Sequence, residues 1–267
     1  MATTTAAATL SAAEQRATAT LAGQYAALAY ALWTRWSTPD DIDANWLRIL
    51  DLLIPQILKG RSQAATTANV YYDRFRKLEM PSAPKFEPVD LPELQRSVLE
   101  TSLRVTGPVA FKKKMEKVSG RDLEPAVEKA LVQKLFTEAG EQMAAATMRH
   151  VAEGARQQVL ENVKVDPVAL GYLRVTKSTD PCFFCAMLAS RGAVYTAESF
   201  KQADSLFTGD GPAKAHDHCA CTLEPVYSRN TELPDVSREA AEIWGASTRG
   251  KSGRAAINAF RAAWEGR

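Results

Sequence analysis

A mainly α-helical fold is predicted, in which a helical N-terminal region leads into a small α+β, zinc-knuckle-like module near the C-terminus. Three observations predict it. Apolar residues recur at helical spacing through most of residues 1–165, as in the run Trp46, Ile49, Leu50, Leu53, Ile54, Ile57 and Leu58. Two short stretches further on, 171–176 and 222–226, read as strands instead. Between them lie all four cysteines and two of the three histidines, as Cys182-x-x-Cys185, then His216, His218 and Cys219-x-Cys221. A chain of 267 residues is long enough for one large or two modest domains. Five segments are expected: N-terminal helices (1–80), a Pro-rich linker (81–92), a helical domain (93–165), the Cys/His-rich α+β module (166–230) and C-terminal helices (231–267).

Charge gives no lead, because 33 basic residues face 31 acidic ones, so bulk electrostatics favour neither nucleic acid nor an acidic partner. The first 36 residues are rich in Ala and Thr, with no early basic region and no continuous apolar core. Neither a signal peptide nor a membrane span is expected there. Ser11 and Glu14 fit a capping box, so the first helix is expected from Ser11 to Trp36, with the preceding residues loose. Thr38-Pro39-Asp40-Asp41 reads as a second helix start, with acids at the positive end of the dipole. Pro55 is expected to kink or end that helix, and a further helix to run from Arg61 to Leu78. Tyr71 and Tyr72, beside Arg74, Arg76 and Lys77, read as core aromatics flanked by a solvated face rather than as a nucleic-acid surface.

Pro81, Pro84, Pro88 and Pro92 mark the linker. Helical patterning resumes over 93–106, is expected to break at Gly107-Pro108, and continues to Val118. Lys112, Lys113, Lys114 and Lys117 read as a solvated basic face. The longest helix is expected over 122–162, with Leu123, Val127, Leu131, Leu135 and Met143 on its apolar seam. His150 within it reads as structural. Beyond Asp166-Pro167, a strand feeds the CxxC turn. One or two helical turns over 184–190 end at Gly192. Strands follow at 193–195 and 222–226, and helices at 236–244 and 255–264. Trp244, Phe260 and Trp264 are expected to anchor the last helices on the body or on a partner subunit.

A CxxC turn sets two thiolates on one side of a tight loop, which is how half of a tetrahedral zinc site is usually built. Cys219 and Cys221 alternate along an extended segment and so share a face. His216 reaches the same point from the turn before, whereas His218 has the opposite strand parity. The expected site is therefore Cys182, Cys185, Cys219 and Cys221, with His216 able to replace one of the second pair. A module of about sixty residues has little core, and a structural metal would staple it. Two disulfides, or four reduced thiols that merely pack, are the alternatives.

DPCFFCAMLASRGAVY followed by HDHCACTLEPVY resembles the C-terminal signature of the phage Mu protein F-like family of minor head proteins, above all the versions in phages of actinobacteria. The likeness covers residues 160–228, including the lead-in ENVKVDPVALGYLRVT. The family's recurring elements fall on Cys182, Cys185, His216, Cys219 and Cys221; His218 and Ala220 stand where members commonly carry other residues. The resemblance implies a minor structural protein of a tailed double-stranded DNA phage, acting in head assembly near the portal. It implies the portal, the scaffold and the major capsid protein as partners, no membrane, a place in the virion head, and assembly in the reducing host cytoplasm.

Two other classes stand beside this one. Related actinobacterial phage proteins are often labelled capsid maturation proteases, but the sequence carries no G-x-S-x-G elbow and no H-E-x-x-H. A Cys219–His216 pair acting as nucleophile and base would dismantle the zinc site. No catalytic residue is assigned. A nucleic-acid-binding zinc module would need basic residues clustered at the knuckles. Here Arg174, Lys177, Arg191, Lys201 and Lys214 alternate with Asp180, Glu198, Asp204, Asp210 and Asp217.

Overall fold

Three long helices carry the structure, and the sequence explains where each begins and ends. The computed structural model describes residues 4–176, 180–192, 221–228 and 232–267. Helix α1 (Thr5–Trp36) starts earlier than the capping box suggests, because Thr4 caps it by accepting the Ala7 N–H at 3.1 Å. Ser11 is thereby released from capping; it is buried and donates to Glu224 at 2.6 Å. Thr38-Pro39-Asp40-Asp41 does not start a helix: two turns, closed by the Asp41 N–H on the Thr38 carbonyl and the Trp46 N–H on the Asp43 carbonyl, take up those residues, and helix α2 (Trp46–Glu79) begins after them. Pro55 does not end α2. Both Pro55 and Asp51, whose carbonyl loses its partner to the missing N–H, lie on the exposed face, where water can satisfy that carbonyl.

Helix α3 (Arg96–Arg104) continues through a π-helical turn (Val105–Val109) into α4 (Ala110–Glu116). Gly107-Pro108 therefore does not break the run: the wider π-turn absorbs the proline. Helix α5 (Pro125–Val165) has Pro125 in its first turn and the Glu124 carboxylate on the Ala126 N–H at 3.0 Å.

Helices α1, α2 and α5 pack against one another in a core centred on the fully buried Trp33. Its ring stacks on Phe136 at 4.9 Å between centroids, and Phe111 meets Phe136 edge-on at 5.9 Å. Ile49, Leu53, Ile57, Leu99, Leu103 and Met143 complete that core. The helices approach closely at Gly154 of α5, where a Cβ would lie 2.4 Å from the Arg61 carbonyl oxygen of α2.

Strands β1 (Gly171–Val175) and β2 (Thr222–Val226) form an antiparallel ribbon with Gly171 opposite Val226 and Val175 opposite Thr222. Tyr172 and Leu223 bury the ribbon against Tyr71, Tyr72, Phe75, Val159 and Leu160 of α2 and α5. Helix α6 (Phe183–Ala189) packs on α7 (Asp235–Ser247) and α8 (Gly253–Glu265) through Ala186, Met187, Leu188, Phe260 and Trp264. Phe260 stacks on Trp264 and meets Trp244 at a tilt, and the three pack with Ala186, Met187 and Leu188, so they anchor the last helices on α6. The strand expected at 193–195 lies outside the described residues.

The Pro-rich segment is strapped down. The Asn162 carboxamide accepts the Val89 N–H at 3.2 Å, Gln158 donates to the Val89 carbonyl at 2.7 Å, and Arg76 donates to the Pro84 carbonyl at 2.6 Å. Buried polar side chains thus supply the partners that prolines leave out of any regular ladder.

Candidate functional site

The CxxC turn sits where β1 hands the chain to α6. Cys182 occupies the N-cap of α6, and its Sγ accepts the Cys185 N–H at 3.5 Å. An N–H directed at sulfur favours the thiolate, the form that binds metal. Cys182 is exposed, whereas Cys185 and Cys221 are buried and pack against each other. Cys221 immediately precedes β2, so the ribbon brings the second cysteine segment to the first.

The surroundings hold both segments. Arg156 of α5, itself buried, donates to the Cys221 carbonyl at 3.2 Å. The Trp264 indole donates to the Pro181 carbonyl at 2.9 Å, and the Arg267 guanidinium lies over the Trp264 ring and pairs with Asp180. Arg261 lies 4.7 Å above the Phe183 ring. The C-terminal helix α8 therefore braces the turn that carries Cys182 and Cys185.

Of the five expected metal ligands, the structure describes Cys182, Cys185 and Cys221; His216 and Cys219 lie outside the described residues, as does His218. Among the described residues no group of three or more His, Cys, Asp or Glu side chains is arranged to hold a metal. The sulfur donors from two distant segments, one receiving a backbone N–H, have the chemistry of half of a soft-metal site.

A second polar cluster lies inside the helical core, and sequence reasoning did not find it. The His150 Nε2 is 2.8 Å from Ser102 Oγ of α3, and its Nδ1 is 3.4 Å from Glu153 Oε2, one turn further along α5. Arg149 donates to Ser102 Oγ at 2.9 Å and to Glu153 Oε1 at 3.2 Å. Arg61 of α2 donates to the His150 carbonyl at 3.0 Å and lies 3.9 Å from Glu153. Burial pushes the His150 imidazole below its usual range against the pull of the Glu153 hydrogen bond, and Arg149 and Arg61 push it the same way. Burial opposes ionisation of Glu153, but its hydrogen bond with His150 and the nearby Arg156 and Arg149 outweigh that and hold its carboxyl well below the usual range. The only sequence signal was the His150-x-x-Glu153 spacing on one helix face. Ser102 comes from a separate helix and gives none.

No helix among the described residues is long and apolar enough to cross a membrane. A sequence profile of the VG15 protein family matches residues 1–242. The Gene 15 protein of Mycobacterium phage D29 is 32% identical over 156 residues, which is 57% of this chain and 49% of that protein's length. The Gene 15 protein of Mycobacterium phage L5 is 27% identical over 232 residues, 75% of this chain and 72% of that protein. No solved structure matches the chain. With the profile running from the first residue through the CxxC turn, β2 and most of α7, the chain belongs to the VG15 protein family.

Proposed function

We propose that this chain is a minor structural protein of the head of a tailed double-stranded DNA phage, acting in capsid assembly near the portal. The observation that carries the reading is the family match over residues 1–242, with its relatives in two mycobacteriophages. The cysteine segments support the finer part: they are the residues that resemble the phage Mu protein F-like head proteins, and Cys185 and Cys221 lie together.

In this reading the helical core of α1, α2 and α5 is a rigid scaffold, and the module around α6 is the docking end. A zinc ion held by Cys182, Cys185, Cys219 and Cys221, or with His216 in place of one of the second pair, would lock the module. Four protein ligands leave no open position, so the metal's contribution is structural. The partners are the portal, the scaffold and the major capsid protein, met in the reducing host cytoplasm before the protein is carried in the virion.

The test is a phage lacking this gene, complemented in trans by wild type or by Cys185→Ser. The reading expects few infectious particles without the gene, rescue by wild type, and poor rescue by the variant. Normal yield and infectivity without the gene would overturn it.

A further inference from the structure

Helix α1 carries three charged residues in 32, Glu14, Arg16 and Arg35, whereas 24% of the whole chain is charged. Glu14 is buried, with the Thr18 hydroxyl donating to it at 3.0 Å. The solvent side of α1 therefore holds no carboxylate. A helix side that meets only water is ordinarily charged; this one is mostly alanine and threonine. Packing accounts for the inner side, where Ala7, Ser11, Thr18, Ala22 and Ala29 are buried on the bundle. It does not account for the outer one, where Ala6, Ala13 and Ala17 are exposed beside the half-buried Leu10 and Leu21.

Those five positions recur every three or four residues and form one stripe. Helix α2 runs antiparallel beside it, with Tyr71 meeting Ser11 and Gln63 meeting Tyr25. On α2, Thr67, Val70, Arg74 and Leu78 repeat the spacing, and Val70 is 47% and Leu78 40% exposed. Two hollows open between the helices. One of about 830 Å³ lies between Ala6, Leu10 and Ala13 of α1 and Arg74 and Leu78 of α2. Another of about 390 Å³ lies between Ala17 and Leu21 of α1 and Gln63 and Thr67 of α2. They make one groove about 20 Å long, at about 1.5 Å of rise per residue from Ala6 to Leu21.

The charges along it have one sign. Arg74 and Lys77 line the larger hollow, and Arg16 stands one turn from Ala13. Among the described residues neither Arg16 nor Arg74 has an ion-pair partner. Asp73 and Glu79 do not line the groove: Asp73 takes Lys77 at 2.6 Å, and Glu79 accepts the Thr4 N–H at 3.4 Å.

We propose that the α1–α2 groove receives an amphipathic α-helix of another protein, its apolar side on Leu10, Val70 and Leu78 and its acidic flanks on Arg16 and Arg74. The alanines let a helix approach to the usual packing distance, and the exposed leucine and valine give it apolar surface to bury. Helix α5 already packs on the inner side of α1 and α2, so the incoming helix completes a four-helix arrangement. Charge selects the occupant. A second copy related by a two-fold axis would set this cationic face against itself. Nucleic acid would satisfy the arginines but leave Val70 and Leu78 without apolar partners.

The photo-crosslinking residue p-benzoylphenylalanine is placed at Ala13, and in a control at Val127, which is exposed at the start of α5, in a phage encoding this protein. Infected cells are irradiated whole, so the result does not depend on the head reading or on the chain entering particles. The proposal expects Ala13 to join a different protein, at a peptide whose apolar residues recur at helical spacing among Asp and Glu. Arg74→Glu is expected to lower that yield about tenfold or more, and Lys in place of the mapped peptide's acids to restore it. Leu78→Asp is expected to lower it as much, which keeps a second variant in hand should the first fail to fold. Both residues are exposed, so melting temperatures should hold. An Ala13 yield no higher than that from Val127 would overturn the proposal. So would adducts with a second copy of this chain, with nucleic acid, with lipid or with a peptide lacking acids, or yields that neither folded variant lowers.

Discussion

Asp166 shows how much one buried side chain holds together. It ends α5, is 4% exposed, and receives the Arg76 guanidinium at 2.8 Å and the Tyr72 hydroxyl at 3.0 Å. Burial together with the neighbouring Tyr227 and Asp166 pushes the Tyr72 phenol far up, so it stays a donor at any working pH. Arg76 in turn fixes the Pro-rich segment through the Pro84 carbonyl. Asp166→Asn leaves Arg76 buried with half its partner gone, and is expected to cost about 3–5 kcal/mol in urea denaturation. Replacing both Arg76 and Asp166 by apolar residues should cost much less, because no orphaned charge then remains. A loss under about 1 kcal/mol for Asp166→Asn would contradict this account of the pair. At this scale the sequence was partly legible. Tyr71 and Tyr72 read as core aromatics and are buried, but nothing local in the sequence said that Asp166 would meet Arg76. The same holds for Ser102 and His150, which are 48 residues apart and come together only when α3 packs on α5.

The long helices were readable as periodicity, and their boundaries were set by chemistry that periodicity does not carry. The second strand ran over 222–226 as expected, while α1 began at Thr5 because Thr4 is the better-placed cap. Pro55 read as a kink or an end and Gly107-Pro108 as a break, because a proline removes one N–H; the solvent face and the π-turn each absorbed that loss. Such rescue depends on which way a residue faces after packing, and the sequence only hints at that. The close approach of α5 to α2 at Gly154 makes a prediction of its own. A Cβ at Gly154 would meet the Arg61 backbone at 2.4 to 3.0 Å, and backbone cannot turn aside as a flexible side chain can. Gly154→Ala is expected to lower stability by about 1–3 kcal/mol despite its better helix propensity. Gly23→Ala on α1, with nothing within 4 Å of the added methyl, should be neutral or slightly stabilising. Equal melting temperatures for the two variants would contradict the close α2–α5 contact.

At the scale of the whole molecule, a helical scaffold carries a cysteine module on the β1–β2 ribbon and braces it with α8. The CxxC motif was the most legible part of the site, since motif spacing fixes local geometry. Cys185 meeting Cys221 follows from the ribbon register, which the strand patterns foreshadowed. If zinc holds the module, protein purified under reducing conditions should carry one zinc per chain. Chelation should then lower the melting temperature, and Cys185→Ser should lose the metal. Metal-free protein indifferent to chelators would remove zinc from the account and leave the thiols as packing.

The head reading is tested most directly by quantitative mass spectrometry of purified procapsids and mature virions from a phage encoding this protein. The account predicts the chain in both particles, in a few copies relative to the major capsid protein, and co-purifying with the portal. Absence from both particles, with the protein abundant in the lysate, would contradict it.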